Sequence, residues 1–369
     1  MLAASAIVND SRQNHRPRRS NQVFRDRPLH FDKILAMPSR SSHWQMSFPV
    51  AAILWAVVVV MAAFYGVAMG YSGPVFALGL GVAAALFAFE LFLASPPVLE
   101  RATRHFGELG APLLALFPLL AVVAYSLGVT RNLTFAMIGA AYAVLPILLA
   151  AISRGKPAGT AADYAAILIL WLPVEFRWMY RLFVFPAPHG ASIWPLTHTL
   201  TILLALCIGV AAFVLIRRMD GIGYAVEWRH SDALLATSHF ALFALIAIPL
   251  GVKMHFLAFE PSAARLRSLP LSAIGILFFT AWPEEFLFRG LLQNALSKTF
   301  KNPYAGLIVA SVVFGLSHIL HAPYPNWKYV ALATIAGLFY GHVWMKSGSL
   351  LPSALVHALV DISWHILFR

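Results

Sequence analysis

Long apolar runs follow one another from residue 47 to the end of the chain. They lie near 47–70, 73–95, 111–128, 133–153, 162–185, 197–216, 233–252, 270–296, 304–321, 328–345 and 350–368. Within each run the apolar residues are continuous rather than alternating, which argues against membrane strands. Most runs approach the roughly 20 residues that a helix needs to cross the hydrocarbon of a bilayer. Several contain Gly or Pro, which membrane helices tolerate. The pattern predicts an all-α, polytopic transmembrane helix bundle. It counts about eleven spans, within a range of nine to twelve, and the chemistry lies in the last four.

Composition strengthens that reading. Apolar residues make up 60% of the chain, charged residues only 11%, and the mean hydropathy is +0.75. A soluble domain is about a quarter charged, so lipid must solvate much of this surface. The net charge of +12 belongs to loops and tail facing anionic lipid. No stacking or phosphate-cradling motif accompanies it, so nucleic acid is not an expected partner. The single cysteine, Cys207, sits in an apolar run and excludes an intrachain disulfide and a Cys-ligated metal.

Residues 1–46 differ from the rest. They hold eight Lys/Arg, three Asp and no apolar periodicity, and read as a basic, disordered cytoplasmic tail. Residues 47–260 then form transmembrane helices of unassigned role, and 267–369 a separate core. With the N-terminus inside, 18 of the 27 Lys/Arg face the cytoplasm and six face outward, as the positive-inside rule requires. The absence of a eukaryotic targeting signal points to a bacterial cytoplasmic membrane.

Ionisable groups inside spans are costly, so they are the informative positions. Trp282-Pro283-Glu284-Glu285-Phe286-Leu287-Phe288-Arg289 places Glu285 and Arg289 at i,i+4 on one helix face. Glu284 is turned about 100° away and lacks that partner. Pairing makes Glu285 structural and leaves Glu284 as the candidate general base. Phe314-Gly315-Leu316-Ser317-His318 follows, with His321 a turn later. If Lys298–Lys301 is the turn of a helical hairpin, Glu284 and His318 lie at the same height, about 25 Å from that turn. A carboxylate and an imidazole at one depth could share a water. In the last run His357 and Asp361 stand at i,i+4, with Ser353 before and His365 after them, forming a polar stripe that must face the bundle interior. Glu90, Glu175, Arg177, Arg181, His239 and His342 are embedded too, but none shows a pattern that joins it to this group.

Glu284-Glu285-x-x-x-Arg289, Phe314-x-x-x-His318 and His357-x-x-x-Asp361, in that order in successive apolar segments, resemble the three motifs of the CPBP intramembrane proteases. This is the CAAX-prenyl-protease and bacteriocin-processing-like (Abi) group, which includes the Ras-converting type. The resemblance covers roughly residues 267–369. It implies a metal-free glutamic endopeptidase acting on a membrane-associated protein or peptide. Glu284 with His318 would activate water, Glu285 and Arg289 would hold the geometry, and His357 with position 361 would stabilise the oxyanion. An ionised Asp361 cannot donate to an oxyanion, so its expected part is to orient His357 through a ring N–H.

Three other readings remain open. Glu284, His318, His357 and Asp361 are also the ligand types of a catalytic zinc, although no His-Glu-x-x-His is present. Buried carboxylates and histidines serve proton- or ion-coupled transporters. A catalytically silent membrane scaffold is the third. Substrate, cleavage site and oligomeric state are not readable from the chain.

Overall fold

The computed structural model describes residues 44–105, 109–181 and 194–368. The first 43 residues, which hold nearly all of the expected tail, lie outside them. Residues 44–46 are ordered: strand β1 (Trp44–Gln45) pairs antiparallel with β2 (Glu227–Trp228), and Met46 N–H donates to the Val226 carbonyl. The last three residues of the expected tail are therefore paired with residues 226–228. Backbone pairing that far from the tail in sequence left no local signal to read.

Helices make up most of the described chain. The first five are α1 (Phe48–Ala68), α2 (Gly73–Leu93), the short amphipathic α3 (Pro96–His105), α4 (Gly110–Thr130) and α5 (Leu133–Ser153). Next come α6 (Ala161–Glu175), α7 (Leu196–Ile216) and α8 (His230–Lys253). The C-terminal set is α9 (Leu269–Thr299), α10 (Pro303–Leu316), α11 (Trp327–Ser347) and α12 (Leu350–Leu367).

Among the described residues, eight helices are long and apolar enough to cross a membrane: α1, α2, α4, α5, α7, α8, α9 and α12. Three of the eleven expected runs fall short, each for its own reason. The run 162–185 stops at Glu175, because Pro173 lacks an N–H in the last turn and Arg177 adopts a left-handed conformation (φ 60°). The run 304–321 yields only the 14 residues of α10. The run 328–345 gives the 21-residue α11, long enough but bearing Lys328, Tyr329, Tyr340, His342 and Lys346.

Local chemistry fixes the helix starts. Asn302 caps α10, its side chain accepting from the N–H groups of Tyr304 and Ala305, with Pro303 in the first turn. Thr160 and Asp163 form a reciprocal capping box on α6. Gly348 (φ 67°) ends α11 and Ser349 caps α12 directly after it.

The core is arranged around α7, whose Leu203, Leu204, Cys207, Ile208, Val210 and Phe213 are all buried. A helix apolar all round suits an interior position. In the C-terminal set, small residues bring backbones close. A Cβ on Gly315 would meet the Val330 carbonyl oxygen at 2.7 Å, and one on Gly337 would meet Ser311 at 3.1 Å. This is the packing expected where dispersion rather than water drives helix association.

Candidate active site

The site grows from α9. Pro283 cannot donate to the turn before it, and its ring crowds that turn. The helix responds by widening: residues Leu277–Ala281 form a π stretch, with Trp282 N–H bonded to the Leu277 carbonyl. A second π stretch covers Phe286–Gln293. Trp282–Glu285 is thus a single α turn between two widened segments. Such interruptions re-aim side chains and occur often at functional sites.

From this turn the two glutamates point to different environments. Glu285 is wholly buried, and its Oε2 accepts from Arg289 Nε at 3.1 Å. Ser353 Oγ donates to the same oxygen, and lies 2.8 Å from the Tyr340 carbonyl as well. The Arg289 guanidinium sits over the Phe314 and Tyr340 rings, 4.9 and 5.9 Å from their centroids. Its two terminal nitrogens have no hydrogen-bond partner, so the π faces supply much of its compensation. Glu284, by contrast, keeps 31% of its side chain accessible.

His357 joins the two carboxylates. Its Nδ1 is 3.0 Å from Glu285 Oε1, while Nε2 is 3.8 Å from Glu284 Oε2 and 3.5 Å from Asp361 Oδ2. The ring stacks on Tyr340 with centroids 4.5 Å apart and meets Phe314 edge-on at 5.6 Å. Beside the expected partner Asp361, Glu285 also engages His357. Glu285 holds the imidazole through Nδ1, and Asp361 lies beside Nε2 beyond hydrogen-bond length. The reason is the π stretch and Ser353: together they bring the paired Glu285 against α12, a contact that spacing within one helix cannot reveal.

His318 comes from the turn after α10. Its Nδ1 is 2.9 Å from the Phe314 carbonyl. A carbonyl only accepts, so Nδ1 carries the proton and Nε2 of the neutral ring bears the lone pair. The same logic puts a proton on His357 Nδ1, against the Arg289-paired carboxylate. The Nε2 edge of His357 then faces two carboxylates, and a proton must sit somewhere in the Glu284–His357–Asp361 group.

Glu284, His318, His357 and Asp361 all line one cavity of about 920 Å³, whereas Glu285 and Arg289 lie behind its wall. The sequence-derived candidates thus divide into four residues at the cavity and two supporting them. His321 is at the wall too, stacked on His318 with centroids 5.7 Å apart. The stripe on α12 holds for Ser353, His357 and Asp361, but His365 is exposed. Sequence reasoning missed Tyr340 and Tyr329. The Tyr329 ring lies 4.4 Å from that of His318. An aromatic residue in an apolar helix carries no local sign of such a role.

The cavity walls extend beyond the last four runs. Trp171 and Glu175 of α6, His198 of α7 and Phe240, Phe243 and Ala247 of α8 contribute to them. His239 and His342 form a seam between α8 and α11, with Nε2 to Nδ1 at 2.9 Å. Glu90 is buried in α2 with one oxygen lacking a hydrogen-bond partner, and it does not line the cavity. Among the described residues, no group of three or more His, Cys, Asp or Glu side chains is disposed to hold a metal ion.

No curated protein matches the chain, and no solved structure does. Residues 266–363 match the family model described as type II CAAX prenyl endopeptidase, Rce1-like.

Proposed function

We propose that this protein, whose residues 266–363 match an Rce1-like endopeptidase family model, hydrolyses a peptide bond of a membrane-associated protein or peptide using a water activated by Glu284 and His318. The observation that carries the reading is the division of labour between adjacent glutamates. Glu285 is neutralised by Arg289 and engaged with His357, while Glu284 faces the cavity beside the other edge of the same imidazole.

The steps follow from the donors and acceptors. A water between Glu284 and His318 gives its proton to the Glu284 carboxylate, with His318 Nε2 accepting the second O–H and fixing the oxygen's orientation. The oxygen attacks the scissile carbonyl carbon. A proton on His357 Nε2 then donates to the oxyanion, and Glu285 holds the ring so that no reorganisation is needed. Asp361, 3.5 Å from Nε2, favours that proton electrostatically before the carbonyl arrives. Glu284 finally returns its proton to the leaving nitrogen. The 3.5 and 3.8 Å separations around Nε2 leave room for this group to tighten around substrate. Much of the remaining cavity wall is apolar, which suits an apolar peptide or a lipid-modified one. A bacterial cytoplasmic membrane, with the N-terminus inside, is part of the same proposal.

The test compares peptides released from membranes containing wild-type, Glu284→Gln or His318→Ala protein. The Glu284→Gln variant is expected to lose activity by about 10²–10⁴-fold. Identical release from all three would overturn the proposal.

A further inference from the structure

The cavity has a second polar wall, which the proposed chemistry does not use. It is built from residues that precede the matched segment. Phe176 and Arg177 N–H groups close the end of α6 onto the Leu172 and Val174 carbonyls. The left-handed turn at Arg177 then reverses the chain into a single 3-10 turn, Trp178–Arg181. This reversal sets Glu175, Arg177 and Tyr180 on the cavity wall beside His198 of α7. Trp171 Nε1 donates to Glu175 Oε2 at 3.0 Å, and Tyr180 Oη is 2.6 Å from His198 Nδ1. The wall thus carries two hydrogen-bonded pairs.

The two polar walls differ in charge. Glu284 and Asp361 stand at the reactive one. Arg177 is the one Lys or Arg among the described residues lining the cavity. It lies within electrostatic reach of Glu175, Tyr180, His198 and also His321, while Glu175 lies within reach of Glu284. The walls are therefore close enough for one short peptide to touch both. Glu284 and Asp361 repel an anionic group on that peptide, and Arg177 is where the cavity can receive it. A guanidinium has five donors in a planar fork, so it can serve a neighbouring residue and a substrate carboxylate together.

We propose that Arg177, backed by the Tyr180–His198 pair, forms a carboxylate subsite that fixes the register of the bound peptide against Glu284. The proposal rests on the peptidase reading. Two sources offer the same chemistry, a free C-terminus or an Asp or Glu side chain, and the experiment separates them.

Full-length Glu284→Gln protein in phosphatidylcholine nanodiscs is titrated against three fluorescein-labelled apolar peptides. One ends in a free carboxylate, one is its C-terminal amide, and one is the amide with a single internal Glu. The free acid or the Glu peptide is expected to bind about tenfold tighter than the plain amide, as one charge-assisted contact gives. Which of the two is preferred identifies the source. Adding Arg177→Gln should bring that ratio to about one, and Arg177→Lys should keep part of it. A ratio unchanged by Arg177→Gln overturns the subsite, as does the absence of any carboxylate preference or of any peptide binding. It is also overturned if binding depends on Arg177 only when phosphatidylglycerol is added, because the side chain then serves lipid. Wild-type protein is given the same peptides for cleavage. Carboxylate preference without cleavage sinks the peptidase reading and leaves the subsite standing. Cleavage without preference does the reverse.

Discussion

Arg289 shows how a charge can be held deep in an apolar bundle. It gives one hydrogen bond to Glu285 and rests its guanidinium on two aromatic faces. Glu285 in turn serves Arg289, Ser353 and His357 at once. Removing one partner of such a buried pair leaves the other charge uncompensated, at a cost of about 3–5 kcal/mol. Arg289→Met should therefore lower the thermal midpoint of the purified protein sharply. The double variant Arg289→Met/Glu285→Leu should recover part of that loss while staying inactive, because His357 has lost its Nδ1 partner. A midpoint for Arg289→Met equal to that of wild type would show that the pair does not carry the fold. The proposed hydrolysis draws its water activation from Glu284 and His318 without a metal, so proteolytic activity should survive extensive chelation. Loss on chelation with recovery on adding zinc would instead put a metal at these residues.

At the scale of elements, the placement of the motifs depends on how closely helices approach. Gly315 lies inside the motif Phe314 to His318, and its missing side chain lets α10 meet α11 at the Val330 carbonyl. An added Cβ would come within 2.7 Å of that oxygen, so the helices must separate. Gly315→Ala is expected to cost about 1–3 kcal/mol and to reduce activity, since His318 follows three residues later. Thermal midpoints and cleavage rates measured on one preparation check both parts, and an unperturbed rate would mean that α10 does not set the position of His318. Much of this level was legible in the chain. The i,i+4 spacings gave the Glu285–Arg289 pair and the His357/Asp361 face, and the hairpin argument put Glu284 and His318 at a common depth, where both line the cavity. What was not legible depends on geometry between helices. The π stretches flanking Trp282–Glu285 have no hydropathy signature, and the bond from Glu285 to His357 joins positions 72 residues apart. Two of the runs that fall short share a related cause: hydropathy measures the length of an apolar run, while Pro173 and the end of α10 at Leu316 are backbone events; α11 is long enough and differs by its polar residues instead.

The molecule as a whole joins its two halves through the loop between α7 and α8. Leu350 N–H donates to the Gly223 carbonyl at 2.9 Å, Trp344 Nε1 to Ile222 at 3.1 Å, and Asn294 Nδ2 to Asp220 at 2.8 Å. Tyr224 packs against Trp282 and Phe286, the residues on either side of the glutamate pair. A Cβ on Gly209 of α7 would meet the Phe286 ring at 2.7 Å, so the central helix also abuts α9. The first half thus braces α9 from behind, and through α6, α7 and α8 it supplies cavity wall in front. The family match covers only 266–363, yet these contacts argue that this stretch does not form a working cavity alone. Expressed without the preceding helices, residues 260–369 would expose the α9 face that Tyr224 and Gly209 cover. The fragment should reach the membrane but show no cleavage and a protease-sensitive α9. Co-expression with residues 1–259 should restore both activity and protection, since membrane helices inserted separately can still associate by close packing. Full activity of the C-terminal fragment alone would mean that the first eight helices serve something other than the site.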